Sequence, residues 1–410
     1  MKRVFVVDEH ISSKQNGVGT YLKYLIAILK DMDAEVNLIS FNDEVKHFAI
    51  FEGKSARTYR FPVFNGGLML ESGGLCWPLL KMHVADSKDN VFMVNHSPCL
   101  DFLKSLRHHY HRSEIVFTIH DQGWTSPLLG DSRRLHEVIS MCYSRKKKYE
   151  KERFCKKYFQ EELRIYRIAD KVVCLSACTR DLLREVYQVP DSKTHFILNG
   201  ITFPERTMSP GEIRNIKIEL GIGDHEHILL YVGRMVEAKG IKDLLQAFEN
   251  LWKRNSGLRL AIAGEVFNLN ELVKLTPNSA THVTYLGMIS KERLQKWYEA
   301  ADIGVLPSYT EQCSYTGLEM MANKLLIVTT DGNGLRDMFR HNENALVAKI
   351  DEHFLEHLED TLDKALHLGE AERQRIIMNA FCDAKTFYST SQMKEGYRTL
   401  LFDESEYPTI

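Results

Sequence analysis

Residues 300–330 read AADIGVLPSYTEQCSYTGLEMMANKLLIVTT, and this stretch decides how we interpret the rest of the chain. An apolar run from Ile303 to Leu306 predicts a buried strand, and a second run from Leu325 to Thr329 predicts another. Between them a polar loop leads into a short helix, which we expect over about Gly317 to Ala322. A strand, a helix and a strand in this order are typical of a parallel sheet covered by helices.

Two carboxylates lie between the predicted strands: Glu311 in the loop and Glu319 just inside the predicted helix. A helix N-terminus carries unpaired N–H groups and about half a positive charge, which favours a phosphate. A carboxylate just inside it would be held ionised, ready to accept two hydroxyl hydrogen bonds from a ribose. The same residues are also typical of a first-turn Glu that favours the helix dipole and of a solvated loop charge. The pair alone leaves both interpretations open.

The composition is that of a globular protein with more than one domain. Of the 410 residues, 44% are hydrophobic and 26% are charged, and the formal net charge is −2. A typical domain of about 150 residues predicts two or three domains. Binding to nucleic acid usually requires a strong basic excess, so this balance argues against a nucleic-acid partner.

No stretch has the roughly 18 uncharged residues of a membrane span. The short apolar run Val4 to Val7 predicts a first strand rather than a signal peptide. We therefore expect a cytoplasmic protein, with any membrane contact peripheral and at the inner face. The eight cysteines show no paired metal-ligand spacing, and Asp31 and Asp33 lie at a predicted helix end, so we expect reduced thiols and no metal site.

The first half alternates strands and helices, which predicts a parallel sheet with helices on both faces. The predicted strands are Arg3 to Val7, Glu35 to Ser40, Val91 to Val94, Ile115 to Ile119 and Lys171 to Leu175. Ligands of such sheets bind beyond the carboxyl ends of the strands. The residues that follow each strand are therefore the candidates for a site.

Two candidate groups follow strands of the first half. Gly17 and Gly19 open a helix, where glycines allow a ligand to approach the backbone closely and leave amides for an anion. A simple turn into a helix would use the same residues. His120 follows the strand that ends at Ile119. Its side chain could hydrogen-bond a sugar hydroxyl or stabilise a developing charge, and a structural role is the alternative.

The second half repeats the pattern after a linker from Thr202 to Ser209. The predicted elements are strands at Ile228 to Val232, Leu258 to Ala263 and Val283 to Leu286, and helices at Ile241 to Lys253 and Lys291 to Ala300. Arg234 and Lys239 lie between the first of these strands and its helix. Cations at a strand's carboxyl end near a helix N-terminus suit a diphosphate, although a surface turn with two solvated cations is the alternative.

The first half of the chain also contains a strongly basic segment. Residues 144–167 predict one helix, and its first part, residues 144–157, carries an excess of Lys and Arg. Such a face could hold an anionic acceptor or an anionic membrane surface. A solvated helix with i,i+4 ion pairs is the alternative, and the sequence does not separate the two.

Taken together, these motifs resemble glycosyltransferase family 4, the retaining group 1 glycosyltransferases. The resemblance rests on short motifs that run in the family's order over nearly the whole chain: Gly17 and Gly19, His120-Asp121, Ala169-Asp170, Ser176, Asn199-Gly200, Gly233-Arg234, Lys239-Gly240, Gly264, Gly287, Glu311 and Glu319. It implies an α/β GT-B fold with two Rossmann-like domains whose parallel sheets face each other across a deep cleft. The implied domains are 1–203 on the acceptor side, 204–385 for the nucleotide sugar, and a helix in 386–410 that crosses back to the first domain.

The resemblance also implies roles for particular residues. Arg234 and Lys239 would bind the nucleotide diphosphate, Glu319 the ribose hydroxyls and Glu311 the donor sugar. The remaining implied site residues are Gly17, Gly19, His120, Met288, Ser314, Tyr315 and Thr316. Among these, the glycines and residues 314–316 would face the phosphates, Met288 the base and His120 the sugar. His120, Arg234, Lys239 and Glu311 would be the catalytic set.

The implied reaction moves a hexose-type sugar from a nucleotide sugar to an acceptor hydroxyl with retention of configuration. UDP-sugar is the favoured donor and GDP-sugar the alternative, and the acceptor would be a glycan, a lipid-linked saccharide or a peptide. No cofactor and no metal are expected, since Arg234 and Lys239 would stabilise the departing diphosphate. Two other functions fit the same residues: a GT-B nucleotide-sugar epimerase, and a nucleotide-sugar or membrane-surface binding protein without catalysis.

Overall fold

A computed structural model of the chain describes residues 1–9, 17–53, 56–63, 76–95, 100–144, 146–204, 208–223, 225–265 and 269–402. The chain divides into two compact units. Unit 1 comprises Met1–Gly200 together with Thr390–Ile410, and unit 2 comprises Ile201–Ser389. Within the described ranges, no helix is both long enough and apolar enough to cross a membrane.

Unit 1 is built on an eight-stranded sheet. Its strands are β1 (Lys2–Glu9), β2 (Ala34–Asp43), β3 (Ala49–Glu52), β4 (Arg57–Pro62), β5 (Asn90–Val94), β6 (Glu114–Thr118), β7 (Lys171–Cys174) and β8 (Thr194–Phe196). They follow the order β3-β4-β2-β1-β5-β6-β7-β8. All neighbours are parallel except β3 and β4, which pair antiparallel at one edge.

Helices cover this sheet because each presents an apolar stripe to it. They are α1 (Gly17–Lys30), α2 (Leu100–His109), α3 (Ser132–Ser140), α4 (Glu150–Ile168), α5 (Ala177–Glu185) and, from the far end of the chain, α14 (Thr390–Phe402). In α1 the buried residues recur at helical spacing: Tyr21, Leu22, Leu25, Ile28 and Leu29. The core beneath is rich in aromatic rings, with Trp77 fully buried among Phe41, Phe92 and Phe102.

Unit 2 is built on a six-stranded sheet in which all neighbours are parallel. Its strands are β9 (His227–Val232), β10 (Leu258–Ala263), β11 (Val283–Gly287), β12 (Ile303–Leu306), β13 (Leu326–Thr330) and β14 (Leu346–Ala348), in the order β11-β10-β9-β12-β13-β14. Its helices are α6 (Pro210–Glu219), α7 (Ile241–Arg254), α8 (Leu269–Leu275), α9 (Lys291–Ala300), α10 (Tyr315–Ala322), α11 (Leu335–Met338), α12 (Phe354–Leu366) and α13 (Glu370–Phe387). The prediction of two parallel-sheet α/β units is confirmed.

The last helix, α14, packs within unit 1. The hydroxyl groups of Tyr397 and Tyr21 form a close, fully buried hydrogen bond. The ammonium of Lys171 donates to the carbonyl of Leu400 at 2.6 Å. A Cβ on Gly396 would lie 2.9 Å from the side chain of Ile197, so the small residue allows the helix to approach closely. The far end of the chain therefore stabilises the unit that contains its beginning.

The basic segment is not the single helix that we predicted from residue 144. Lys147–Tyr149 form a short 3-10 turn, and α4 begins only at Glu150. Cations repel one another along a helix and are unfavourable at its N-terminus, whereas Glu150 and Glu152 favour a helix start there. Arg145 lies outside the described residues.

Candidate functional site

Three glycines bring the backbone close together at the carboxyl ends of β9, β10 and β11. The N–H of Gly233 donates to Ala263 O at 2.9 Å, and the N–H of Gly264 donates to Gly287 O at 3.0 Å. A Cβ on Gly264 would lie 1.9 Å from Gly233 O, and this glycine adopts φ +154°. Only glycine fits such an approach, so the backbones of these strand ends meet with no side chain between them.

The turn between β9 and α7 places Arg234 and Lys239. The hydroxyl of Tyr231 donates to Arg234 O at 2.7 Å, which fixes the backbone, while the Arg234 side chain is exposed. Gly240 adopts φ +64°, and a Cβ there would lie 1.9 Å from Pro307 O. The turn therefore rests directly on the loop after β12, which explains a glycine immediately after Lys239.

Lys239 and Glu311 form an ion pair across these two loops. The Lys239 ammonium lies 2.7 Å from Glu311 Oε1, and both side chains are largely buried. Ser308 Oγ donates to the same oxygen at 3.0 Å, and the N–H of Glu311 donates to Asn333 O at 2.8 Å. Both the side chain and the backbone of Glu311 are therefore held before any ligand binds.

The buried hydroxyl of Tyr231 shows that these charges converge. Burial raises the pKa of Tyr231 most strongly, the Glu311 carboxylate raises it further, and the Arg234 guanidinium lowers it. The O–H of Tyr231 donates to the backbone of Arg234, and Glu311 pairs with Lys239 in the neighbouring loop. The structure thus brings Arg234, Lys239 and Glu311 together at the carboxyl ends of β9 and β12.

Glu319 differs from the prediction in two respects. Helix α10 begins at Tyr315 instead of Gly317, so Glu319 lies in its second turn rather than just inside it. Burial raises the pKa of Glu319, and the Tyr298 hydroxyl, which donates to Oε2 at 2.7 Å, lowers it only in part. The predicted position of this carboxylate, just inside the helix N-terminus, is therefore wrong, because Glu319 lies about one turn further along α10.

Residues 314–316 form the start of α10. Ser314 is the N-cap, and its hydroxyl accepts a hydrogen bond from the N–H of Gly317 at 3.2 Å. The side chain therefore has a structural task that we did not predict; Ser is a preferred N-cap residue, which explains the earlier helix start. The N–H of Thr316 lies in the first turn, where helix geometry provides no acceptor within the helix. Tyr315 is buried.

Met288 lies directly after β11, and its side chain is 49% exposed. Three residues later, Lys291 begins α9, and its charge lowers the pKa of Glu319. Tyr298, the hydrogen-bond donor to Glu319, belongs to the same helix. Lys291 and Tyr298 of α9 thus both act on Glu319, and Met288 lies three residues before the start of that helix.

The other predicted site residues belong to unit 1. Gly17 and Gly19 lie in the first turn of α1, and Gly17 is exposed. His120 follows β6 after Ile119, and its ring meets that of Tyr21 edge-on, with 4.4 Å between the ring centroids. These three residues therefore lie at the carboxyl ends of strands of the first sheet.

Some residues that shape the site were not predicted. Tyr231, Ser308 and Tyr298 each donate a hydrogen bond to a predicted site residue. Tyr231 could have been suspected as a hydroxyl-bearing residue in an apolar strand just before Gly233. Across the ranges that the structure describes, no group of three or more His, Cys, Asp or Glu side chains comes together as a metal site would.

Two family models match this sequence, one for each half. The model described as Glycosyltransferase Family 4 matches residues 15–203, and the model described as Glycosyl transferases group 1 matches residues 212–381. The chain belongs to the group 1 glycosyltransferases of family 4. The resemblance inferred from the short motifs is confirmed.

Curated relatives match parts of the chain. An alpha-monoglucosyldiacylglycerol synthase of Streptococcus pneumoniae is 31% identical over 159 residues, which are 38% of this chain and 36% of that protein. An uncharacterized glycosyltransferase of Methanocaldococcus jannaschii is 28% identical over 179 residues, which are 43% of this chain and 46% of that protein. The chain thus matches less than half the length of these relatives.

Solved structures share the fold over the whole chain. Sucrose-phosphate synthase of Thermosynechococcus elongatus matches with a TM-score of 0.77 at 18% identity, covering 98% of this chain and 99% of that one. The Anabaena protein HepE, solved in complex with UDP and glucose, matches with a TM-score of 0.69 at 16% identity and the same coverage. The predicted GT-B fold class is confirmed.

Proposed function

We propose that this protein transfers a hexose-type sugar from a nucleotide sugar to an acceptor hydroxyl with retention of anomeric configuration. UDP-sugar is the favoured donor and GDP-sugar the alternative. The observation that carries the proposal is the Lys239–Glu311 ion pair beside the Arg234 turn, whose backbone is bound by the Tyr231 hydroxyl, at the carboxyl ends of parallel strands. Ligands of open α/β sheets bind at such ends.

The donor's diphosphate would lie against Arg234 and Lys239. The planar guanidinium of Arg234 can engage two phosphate oxygens, and the exposed side chain has no recorded ion-pair partner among the described residues. The ammonium of Lys239 has three donors, so it can keep Glu311 and still bind a phosphate oxygen. The Thr316 N–H in the first turn of α10 would add a backbone donor.

The nucleoside and the sugar would occupy the two sides of this diphosphate. Glu319 Oε2 accepts from Tyr298, and Oε1 has no recorded hydrogen bond within the described chain, so Oε1 can accept from a ribose hydroxyl. Met288 would lie by the base. Glu311 would contact the sugar. Within unit 1, His120 would offer a hydrogen bond to a sugar hydroxyl, and Gly17 and Gly19 would leave backbone amides for an anion.

The chemistry follows from where charge develops. As the bond between the anomeric carbon and the diphosphate lengthens, the sugar gains positive charge and the diphosphate gains negative charge. Preorganised donors such as Arg234 and Lys239 stabilise the departing charge without having to reorganise. We propose attack on the same face of the sugar, in which the leaving phosphate oxygen accepts the acceptor's proton. The positive charges at the phosphate would make a divalent metal unnecessary.

One experiment separates transfer from the two other functions. The purified chain is incubated with UDP-glucose, UDP-galactose and GDP-mannose, each with and without diacylglycerol, a disaccharide or a peptide as acceptor, and each in EDTA and in magnesium. Transfer predicts release of nucleoside diphosphate that depends on an acceptor and persists in EDTA. Interconversion of the donor sugar without an acceptor would favour the epimerase, and binding without turnover would favour the binding protein.

We further propose that unit 1 contacts an anionic membrane through one surface, the cationic face, which comprises Lys147, Lys148, Lys151 and Phe154. All three lysines are exposed, and the Phe154 ring is 43% exposed. Cations attract anionic headgroups, and an aromatic ring at the same surface can enter the interface. The wider segment is partly neutralised, since Glu152 pairs with Arg134 and Glu161 with Lys157.

Vesicle flotation tests this contact. The wild-type protein should float with vesicles of phosphatidylcholine and phosphatidylglycerol, and not with phosphatidylcholine alone. Replacing the three lysines by Gln should weaken binding at least about tenfold, because each contributes roughly 1 kcal/mol near such a surface. A matched control replaces the exposed Lys46, Lys88 and Lys274 by Gln, with the same change in net charge. Equal loss in both variants would show only a general charge effect.

A further inference from the structure

The residues after His120 form a compact turn that is fixed from helix α4. The N–H of Gly123 donates to Glu162 Oε1 at 2.6 Å, and the hydroxyl of Tyr187 donates to Glu162 Oε2. The Glu162 side chain is fully buried. A single carboxyl group thus joins the turn after β6 to the residues that follow α5.

The turn has little freedom of its own. Asp121 Oδ1 accepts hydrogen bonds from the N–H of Gln122 at 2.9 Å and from Thr125 Oγ1 at 2.6 Å. A Cβ on Gly123 would lie 2.5 Å from the ring of Tyr158, so no larger residue fits. Tyr158 and Glu162 are one turn apart on α4 and therefore share a face. That face both supports the turn and binds its backbone.

Burying this carboxyl group is costly, and no cation compensates for it. No ion pair of Glu162 is recorded in the part of the chain that the structure describes. Burial raises the pKa of Glu162 to about 8, Tyr187 and the Gly123 N–H lower it, and the charges of Asp121 and Glu161 raise it. The other titratable groups whose pKa responds to its charge are Tyr166, Tyr187 and Cys155. If this position only filled space in the core, an apolar side chain of similar size would be more stable there than a buried carboxyl group.

We propose that Glu162 is a positioning residue for sugar transfer: by accepting the Gly123 N–H it fixes the turn of residues 120–125, and with it His120 in the sugar-facing part of unit 1. This inference rests on the function proposed above and adds a residue far from the motifs. Tyr21 of α1 contacts the His120 ring, and Glu162 of α4 fixes the turn that begins at His120.

Two substitutions of similar size separate positioning from packing. Glu162→Gln keeps an oxygen that accepts from Gly123 and an N–H₂ that donates to the Tyr187 oxygen, so its kcat should stay within about threefold of wild type. Glu162→Met fills the space without an acceptor, so its kcat should fall at least about tenfold, with the donor KM changed less than about threefold. Glu161→Gln and Glu161→Met are the matched controls, since that neighbour is partly exposed.

The pH dependence gives a second readout. A carboxyl group whose pKa is higher in the folded than in the unfolded protein stabilises the fold fully at pH values below the unfolded pKa. This stabilisation is lost as the pH rises from the unfolded pKa to the folded pKa. Here the folded value is about 8. The melting temperature of the wild type should therefore fall from about pH 5 to about pH 8 relative to that of Glu162→Gln, which carries no such charge, and the difference should change little above about pH 9.

Hydrogen exchange at the Gly123 amide tests, without any substrate, whether Glu162 fixes the turn. Exchange in peptides that cover residues 120–130 should accelerate in Glu162→Met and stay near wild type in Glu162→Gln. If the wild type is active and Glu162→Met has the same kcat, the inference about Glu162 is overturned, even if hydrogen exchange at Gly123 changes. The proposed function would then remain intact. Absence of transfer by the wild type with every donor would instead overturn the proposed function itself.

Discussion

Arg234→Ala should lower kcat for sugar transfer about 100-fold, the effect typical of removing one preorganised donor to a developing negative charge. The guanidinium is exposed at the carboxyl end of β9 and has no recorded structural ion pair within the described residues, so the folded state should be little affected. Initial rates at saturating donor and acceptor measure the effect. Arg234→Lys keeps the charge but loses the two-point contact, and it should recover only part of the rate.

The matched control for this substitution is Arg254→Ala. Arg254 is also exposed and belongs to unit 2, but it lies at the far end of α7 and pairs with Glu359 at 3.6 Å. Its removal should leave kcat within about twofold, because exposed ion pairs contribute little. Near-normal transfer by Arg234→Ala would exclude Arg234 as the residue that stabilises the leaving group.

Glu319→Ala should remove at least about half of the thermal stabilisation by the donor nucleotide. A ligand at about 100 times its dissociation constant stabilises a fold by about 2.7 kcal/mol. Hydrogen bonds to a charged group contribute about 1.5–3 kcal/mol, so loss of the carboxylate should weaken binding roughly 10- to 100-fold. Melting curves of the wild type and the variant in UDP and in GDP measure this, and the nucleotide that shifts the wild type also identifies the base.

Sugar-modified nucleotides make this test specific for the ribose contact. The 2′-deoxynucleotide should bind the wild type more weakly than the ribonucleotide, whereas Glu319→Ala should bind both alike, because the partner of the missing hydroxyl is gone. Glu299→Ala provides the matched control, since Glu299 lies on α9 beside Tyr298 but is not a predicted site residue. A full ribonucleotide shift in Glu319→Ala would assign the ribose to other groups.

The sequence alone predicted the elements that have clear periodicity or continuous apolar runs. The strands Leu258–Ala263 and Ile303–Leu306 and the helix Lys291–Ala300 have the predicted bounds. The short strands β3, β4, β8 and β14, which lie at or next to the sheet edges, were missed, because three to six residues with partial exposure carry little pattern. The start of α10 was misplaced because its N-cap, Ser314, was assigned to the loop.

The sequence by itself determined the family, the two parallel-sheet units and the positions after strands where charged residues and glycines occur, since these depend on local patterns and motif order. Only the tertiary structure decided which of these residues meet. Lys239 pairs with Glu311, Tyr298 holds Glu319, and Glu162 binds the turn after His120. Such contacts join segments that are distant along the chain, and a buried carboxyl group such as Glu162 is indistinguishable in sequence from the solvated Glu residues around it.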